Sequence, residues 1–171
     1  LRDMLTARPE LATARIVDAR GVARSLLHVV TDWPGHLAAG AELVALLAAA
    51  GADVNAAVSH PTETASAETP LHWAASSDDV EVLDALLDAG ADIEAPGAVF
   101  TGGTAMSDAV IFAQWRSARR LLERGARTTL WQAAALSLLD RVRSLCEAPD
   151  AASARDLTNA LWHACRGGAQ E

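Results

Sequence analysis

Histidines and carboxylates are the side chains of this sequence that could support acid–base chemistry or bind a metal ion. His36 and His60 occur with Asp32 in segments expected to be loops, and histidine with carboxylate is a suitable zinc ligand set. No HExxH motif or other closely spaced ligand pair accompanies them. We therefore predict neither a metal nor a cofactor, and a metal site in these loops is the weaker alternative.

Carboxylate pairs are the next candidates for catalysis. Asp78 and Asp79 are adjacent, and Asp84, Asp88 and Asp92 follow at intervals of four residues. A catalytic acid–base pair needs one carboxyl group buried with a raised pKa, whereas these positions fall at a turn or on the polar side of an expected helix. The sequence also lacks GxSxG, P-loop and GxGxxG motifs. A solvated acidic face is the favoured interpretation, and we predict that the chain is not an enzyme.

The composition indicates one all-α domain. The chain has 171 residues, of which 51% are hydrophobic but only 4% aromatic, and the strong helix formers Ala and Leu dominate. All basic residues are Arg, and the net charge is −8. One basic cluster, Arg119–Arg127, is interpreted as a solvated helix face, with an anion site as the alternative. We therefore predict no binding to nucleic acid or to a membrane.

The sequence shows neither a membrane-spanning segment nor a secretory signal. The longest apolar run, Leu43–Ala50, is too short to span a bilayer, and the first residues lack the basic and apolar regions of a secretory signal. We expect a cytoplasmic monomer, although the missing initial Met leaves open whether residues precede Leu1. Cys146 and Cys165 form no CxxC motif and replace small apolar residues, so both are expected to be buried thiols, with a disulfide between them as the alternative.

The sequence contains an internal repeat, which indicates the helices on which the candidate residues lie. The segment Thr69–Ala75 reads TPLHWAA, and Gly90 follows Thr69 by 21 positions. Other segments open with Ser or Thr and close with Gly or Pro in the same way: Thr104–Gly125, Thr128–Pro149 and Ser25–Gly51. The separation is again 21 in the first two and 26 in the last, which indicates an insertion near Thr31–His36. Apolar residues keep register across these frames, so the match is not due to chance.

Each repeat has the residues of a helix pair. Thr69 is a good N-cap, and Pro70 fits the first helical position because its missing N–H has no partner there. Leu71 points inward, and the second helix has apolar residues at three- and four-residue spacing. Gly90 ends that helix because glycine adopts the left-handed conformation without a Cβ penalty. One pair cannot bury both of its faces, so the pairs are expected to stack.

The TPLHWAA and LLDAGAD segments resemble the ankyrin repeat. The resemblance implies an all-α, ankyrin-type solenoid of stacked helix-turn-helix repeats with finger loops, and the Ala and Arg bias resembles stand-alone bacterial members. It predicts one domain over residues 1–171. Its divisions are a half repeat at 1–24, repeats at 25–55, 69–94, 104–127 and 128–150, and a partial repeat at 159–171. Residues 1–14 are expected to form the second helix of the half repeat, with Pro9 marking a turn before or within its last part.

The resemblance also assigns structural roles to the motif residues. His28 and His72 occupy the position where the family uses His to tie the turn by hydrogen bonds. Other residues stand there in the remaining repeats, namely Ser107, Trp131 and Trp162. The opening motif comprises Thr69, Pro70, Leu71 and His72. The glycines that close the repeats are Gly51, Gly90 and Gly125.

In this family the concave face and the finger loops bind partners. The candidate partner-binding residues are those of the insertion, one finger and the end of one first helix: Trp33, His36, Val99, Phe100, Ile111 and Phe112. Trp33 is expected either to anchor a partner or to fold back over the insertion. The segment Ala56–Glu68, rich in Thr, Ser, Ala and Glu, is expected to be a mobile finger.

The resemblance implies a protein–protein interaction scaffold or regulatory binding module whose partner is another protein. The alternative is an accessory ankyrin domain of a larger enzyme whose catalytic part lies outside this chain. A third hypothesis is a small-molecule site at the Trp33–His36 insertion.

Overall fold

Helices account for most of the chain in the computed structural model, which describes residues 1–61, 67–148 and 152–167. The elements in chain order are α1 (Arg2–Ala7), a 3₁₀ helix (Pro9–Thr13), β1 (Arg15–Val17), β2 (Ala23–Ser25), α2 (Leu26–Thr31), α3 (Gly40–Ala49), α4 (Pro70–Ser76), α5 (Val80–Asp88), α6 (Ala105–Ile111), α7 (Trp115–Glu123), α8 (Leu130–Ala135), α9 (Leu139–Cys146) and α10 (Ala154–Gly167).

Two rows of helices form the body of the molecule. The first helices of the pairs, α2, α4, α6, α8 and α10, pack side by side in one row, and α3, α5 and α7 form a second row behind them. Each second helix also packs against the first helix of its own pair. This arrangement confirms the predicted all-α stack of helix pairs.

The hydrophobic core lies between the two rows. Leu71 and Met106 enter it from first helices, and Leu83 and Leu121 enter it from second helices, all with almost no exposed surface. Ala109 is equally buried, and its small side chain lets neighbouring helices approach closely. In the described parts of the chain, no helix is both long enough and apolar enough to cross a membrane.

Side-chain caps fix where the first helices begin. Thr69 is the N-cap of α4, and the next repeat but one uses Thr129 in the same way. The backbone N–H of Thr129 donates to Oε1 of Gln132 at 2.8 Å, and the Gln132 amide donates to Ser107 Oγ at 3.0 Å. The equivalent of His72 in this repeat is therefore Gln132 rather than Trp131, one position later than the sequence frame indicated.

The second helices end where the chain turns left-handed. Gly51, Gly90 and Gly125 have φ values of +96°, +95° and +94°, a region in which a Cβ atom is strained. The connection after Gly125 is short, whereas those after Gly51 and Gly90 extend into fingers. The third finger is thus nearly absent, in agreement with the sequence.

In the N-terminal segment, the helix expected over residues 1–14 is interrupted at Pro9, as the turn expected there indicated, and the rest of the segment is not α-helical. α1 ends at Ala7 because Pro9 disfavours helical geometry at Arg8, whose φ and ψ are −143° and 77°. A 3₁₀ turn follows, and β1 then pairs antiparallel with β2 so that Ile16 lies opposite Arg24. The expectation of few strands did not foresee this hairpin, because its strands are only three residues long and carry little alternation.

One aspartate organises the turn of that hairpin. Asp18 Oδ1 accepts hydrogen bonds from the backbone N–H groups of Arg20 at 2.8 Å and Val22 at 3.1 Å. The Val22 hydrogen bond is the largest cause of a lowered pKa for Asp18. Ser59 extends the hairpin by pairing with Ala23, so the hairpin and the following finger form one continuous surface.

The finger expected to be mobile, Ala56–Glu68, is partly described. Residues 62–66 lie outside the described residues. The flanks are joined by a 2.8 Å hydrogen bond from the Val58 N–H to the Glu68 carbonyl oxygen. The next finger packs on this one at Gly97, where a Cβ atom would lie 2.4 Å from the carbonyl oxygen of Ala67. Only glycine allows the two fingers to approach this closely.

The C-terminal helix begins earlier than the partial repeat expected from Asn159. α10 starts at Ala154, and Ser153 and Asp156 form reciprocal side-chain-to-backbone hydrogen bonds of 3.0 and 3.2 Å around that start. Cys165 is exposed on this helix, so the expectation of two buried thiols is wrong for it, and Cys146 is half-buried. Both thiols are free.

Candidate partner-binding surface

His72 ties its helix to the following finger. Its Nδ1 accepts a hydrogen bond from the Thr69 backbone N–H at 3.1 Å, and its Nε2 donates to the Gly103 carbonyl oxygen at 3.3 Å. This pattern needs a neutral ring with the proton on Nε2, because Nδ1 must keep its lone pair to accept. The side chain is buried and leaves no free edge for catalysis.

His28 makes the same connections one repeat earlier. Its Nδ1 accepts from the Ser25 N–H at 3.3 Å, and its Nε2 donates to the Glu68 carbonyl oxygen at 3.1 Å. Burial lowers the pKa of His28 to about 4 and also lowers the pKa of His72. Both rings are therefore neutral at neutral pH, and their hydrogen bonds give them a structural role.

The insertion after α2 is held by the neighbouring repeat. The His36 backbone N–H donates to Asp79 Oδ2 at 2.6 Å, and its Nε2 lies 3.1 Å from the Ser77 carbonyl oxygen. Asp79 also caps α5 by accepting from the Val82 N–H at 3.3 Å. His36, a candidate partner-binding residue, thus fastens the insertion to the stack.

Three arginines of the basic cluster, at the end of α7 and just after it, pair with carboxylates of the preceding repeat. Arg120 Nε lies 2.8 Å from Asp84 Oδ1, and Arg124 contacts both Asp84 and Asp88 at 2.7 Å. Arg127 approaches Glu94 at 3.3 Å. The pairs of Arg120 and Arg124 link the ends of α5 and α7, whereas Arg119 and Arg127 are exposed, so the cluster is only in part the solvated face that the sequence predicts.

Three of the candidate residues meet around one open groove between the first helices and the fingers. We call it the finger groove and define it by Asp32, Trp33, Glu68, Trp73, Val99 and Phe112. Thr31, Ser76 and Ser77 complete its lining, and its volume is about 240 Å³. Trp33 is 79% exposed, so it does not fold back over the insertion.

Phe100 and Phe112 form an exposed aromatic pair at one edge of the finger groove. Their ring centroids are 5.8 Å apart at an interplanar angle of 49°, although Phe100 is 70% exposed and Phe112 42%. Ile111 is half-buried, and its carbonyl oxygen accepts a hydrogen bond from Arg166 at 3.0 Å. Four of the six candidate residues therefore lie together, while His36 is held behind the groove by Asp79 and by Ser77, and Ile111 contacts Arg166.

A buried carboxyl group lies next to the finger groove. Asp108, in α6, has no exposed surface, and neither of its oxygens has a hydrogen-bond partner within bonding distance. Burial is the main cause that raises its pKa to about 7, and the negative charge of Glu68 adds to the rise. The nearby Val99 backbone N–H offsets part of the effect.

The sequence contained a signal for Asp108 that the motif comparison did not use. Asp108 follows Thr104 by the same four positions that separate Trp73 from Thr69. Trp73 lines the finger groove, so the equivalent position in the next repeat faces the same side. A charged residue at an inward-facing position of a first helix was the available indication.

A larger depression of about 470 Å³ adjoins the finger groove and shares Glu68, Trp73 and Val99 with it, and two others lie elsewhere on the surface. One of about 750 Å³ runs between α7 and α9, where Leu138 and Leu139 are incompletely covered, and one of about 640 Å³ lies on α10 beside Trp162. Neither contains a predicted site residue. Across residues 1–61, 67–148 and 152–167, no three His, Cys, Asp or Glu side chains are placed to hold a metal ion.

A family model described as ankyrin repeats, in three copies, matches residues 35–130. This chain is an ankyrin-repeat protein. The match covers α3–α7 and the fingers between them but begins at Gly35, within the insertion, and ankyrin repeats are generally protein–protein interaction modules. A search of curated proteins finds no match.

Proposed function

We propose that this ankyrin-repeat domain is a scaffold or regulatory module that binds another protein through the finger groove and the adjacent aromatic pair. The exposed pair of Phe100 and Phe112 carries the proposal, since two contacting aromatic rings remain open to solvent at the edge of a groove. Clustered exposed aromatic side chains are typical of interface centres, where covering them with a partner contributes most of the binding energy.

The scaffold holds these aromatic side chains in a fixed arrangement. Phe112 is the C-cap of α6, a helix whose side chains are largely buried. Phe100 lies in a finger that is closed by hydrogen bonds of 2.9 Å from the Gly97 and Ala98 N–H groups to the Gly103 carbonyl oxygen. A surface ordered before binding loses little conformational entropy when a partner covers it.

The experiment is an affinity pull-down from the extract of the native cell, with three forms of the full chain. The test variant carries Phe100→Asp and Phe112→Asp, which place charges in the aromatic pair. The control variant carries Leu157→Asp and Leu161→Asp, the same charge change on exposed apolar residues of α10. Circular dichroism must show unchanged helicity for all three.

A protein that is retained by the wild type and the control but lost by the test variant supports the proposal. A partner that is lost only from the α10 variant places the binding surface at the end of the stack instead. A partner that binds all three forms equally excludes both surfaces.

The accessory-domain alternative is favoured by the exposed face of α10. The apolar side chains of this face are about half exposed or more: Leu157, Leu161 and Trp162. In a stack of repeats, such a face is normally covered by the next repeat or by another domain. Mass spectrometry of the native polypeptide tests this alternative, because peptides of a catalytic domain joined to this sequence would support it. A native polypeptide without such peptides would exclude it.

A further inference from the structure

The packing of the second-row helices stops between α7 and α9. α3 packs against α5 and α5 against α7, whereas α7 and α9 make little contact with each other. No residue of α9, which the structure describes throughout, is buried. A groove of about 750 Å³ lies where the next helix contact of the row would be. Helices of a stack normally bury their apolar stripe against a neighbour, so this part of the row is open.

The groove is apolar along its floor. We call it the α7–α9 groove and define it by Leu122, Ala126, Arg127, Leu138, Leu139 and Arg141. Leu139, the first residue of α9, is 65% exposed. The α7–α9 groove shares no residue with the finger groove, so the two surfaces can be tested separately.

Two arginines flank the apolar residues and keep hydrogen-bond donors available. Arg127 contacts Glu94 through Nε at 3.3 Å, and its side chain is 79% exposed. Arg141 is exposed and donates one hydrogen bond of 3.4 Å to the Thr128 carbonyl oxygen. Because a guanidinium group has five N–H donors, these contacts orient both side chains without using up their donors.

The charge around this groove is opposite in sign to that of the whole chain. Residues 116–143 contain seven of the 14 basic residues but only two of the 22 acidic ones, although the net charge is −8. Three carboxylates of the preceding repeat pair with this segment and still leave an excess of arginine. A carboxylate near the groove is therefore attracted, whereas the rest of the chain repels it.

The contact between α5 and α7 shows what the open position lacks. There, Asp84 accepts from Arg120 and Arg124 at 2.8 and 2.7 Å, so carboxylates of one repeat meet arginines of the next. Among the described residues, no ion pair joins α7 to α9. Asp140, the carboxylate in the lining of the groove, pairs within α9 with Arg143 at 3.1 Å. The groove thus presents apolar surface and arginines without a carboxylate from the stack to pair with them.

We infer that the α7–α9 groove binds an acidic amphipathic helix of a protein partner. Leucine side chains of that helix cover Leu122, Leu138 and Leu139, and carboxylates at the edges of its apolar stripe pair with Arg127 and Arg141. A helix suits the position because it presents apolar residues on one face with charged residues beside them, as the neighbouring second helices do. This surface is additional to the finger groove, so the inference goes beyond the proposed function and does not depend on it.

Two helical peptides test the inference on the full chain. The acidic peptide carries two copies of Leu-Ala-Gln-Leu-Glu-Ala-Glu, which places Glu on both sides of a leucine stripe. The neutral peptide has Gln in place of every Glu and keeps the stripe. Fluorescence anisotropy of the labelled peptides measures affinity, and backbone N–H shifts of ¹⁵N-labelled protein locate the site.

The acidic peptide should shift the signals of Leu122, Leu138 and Leu139 and bind about tenfold more tightly than the neutral peptide. Arg141→Gln should weaken only the acidic peptide, by about tenfold. Arg155→Gln is the matched control, because it removes the same charge from an exposed position of α10, and it should change neither affinity. Arg127→Gln repeats the test if Arg141→Gln lowers helicity.

A second pair of variants tests the apolar part of the groove. Leu139→Asp should weaken both peptides by about tenfold or more. It should leave α9 folded, because an acidic residue is favourable in the first turn of a helix. Leu157→Asp, the same change at an exposed leucine of α10, should leave both affinities unchanged. The Phe100→Asp, Phe112→Asp variant should also bind the acidic peptide as the wild type does.

Equal affinity for the two peptides, shifts confined to residues outside the groove, or no binding at all would overturn the inference. So would a folded Leu139→Asp variant that binds as the wild type does. Sedimentation provides the remaining test: a wild-type dimer that Leu139→Asp converts to a monomer would show that a second copy of this chain covers the groove instead. Loss of binding in the Phe100→Asp, Phe112→Asp variant would place the peptide at the finger groove.

Discussion

Replacement of Asp108 by asparagine should change how the stability of this ankyrin domain depends on pH. The folded state keeps the Asp108 carboxyl group protonated up to about pH 7, whereas the unfolded chain loses that proton near the usual pKa of 3.8. The folded state therefore holds an extra proton between these values. The contribution of Asp108 to the free energy of unfolding is therefore fully present below pH 3.8 and is lost as pH rises toward 7.

The size of the effect follows from the two pKa values. From about pH 5 to about pH 8, wild-type Asp108 should reduce the free energy of unfolding by about 2–3 kcal/mol relative to an uncharged residue. His28 acts in the opposite direction. Its pKa falls from 6.5 to about 4, so its stability contribution is present above 6.5 and is lost as pH falls toward 4.

In the wild type, Asp108 and His28 change the free energy of unfolding in opposite directions as pH rises. His28 should add about 2 kcal/mol between about pH 5 and about pH 8, which nearly offsets Asp108, and the lowered pKa of His72 acts in the same direction as His28. The free energy of unfolding of the wild type should therefore change little between about pH 5 and about pH 8. The Asp108→Asn variant should gain about 2–3 kcal/mol more than the wild type over the same range.

Urea denaturation followed by circular dichroism at several pH values measures this difference. Because the comparison uses the change with pH rather than the absolute stability, the cost of burying an asparagine amide cancels. Parallel profiles for the wild type and Asp108→Asn would refute the reasoning, since Asp108 would then not titrate near neutrality. A variant whose stability falls more steeply with pH than that of the wild type would refute the sign.

Three further substitutions test the packing and the turns, each by urea denaturation. Ala113→Gly should stabilise the fold by about 1 kcal/mol, because Ala113 has a φ of +58° and a Cβ atom is strained there; no change would contradict this. Gly40→Ala should destabilise by about 1–3 kcal/mol, because its Cβ would lie 2.6 Å from Val82 Cγ2; a more stable variant would show that the helices separate freely. Asp84→Asn should lower stability by removing the carboxylate that Arg120 and Arg124 share, and the loss should shrink in about 1 M salt. A loss that is unaffected by salt would point to packing instead.

The sequence predicted the body of this protein better than its surface. The pattern from Thr69 to Gly90 contained caps, apolar spacing and a terminating glycine, all of which act within one helix pair, so the fold class followed from local rules. The frame of the last complete repeat was one residue out, because Thr128 and Thr129 are both plausible caps. Only the hydrogen bond from Thr129 to Gln132 distinguishes them.

The sequence named apolar residues for the candidate surface, but it did not show how they are arranged in space. Trp33, Val99, Phe100 and Phe112 were recognised as apolar residues in exposed segments, but their sequence positions do not reveal that three of them share one groove. Asp108 was missed because motif spacing does not measure burial. The hairpin was missed because three-residue strands depend on a partner strand rather than on their own periodicity.

The sequence by itself determined the helix pairs, their stacking and the positions of the left-handed glycines. These features arise from interactions between residues close in the chain, and the repeat copies them along its length. Only the tertiary structure decided which side chains interact across repeats: Arg120 and Arg124 pair with Asp84, and the charge of Glu68 raises the pKa of Asp108. Such contacts join residues more than thirty positions apart, and their distances, burial and shared charges depend on how the pairs pack against each other.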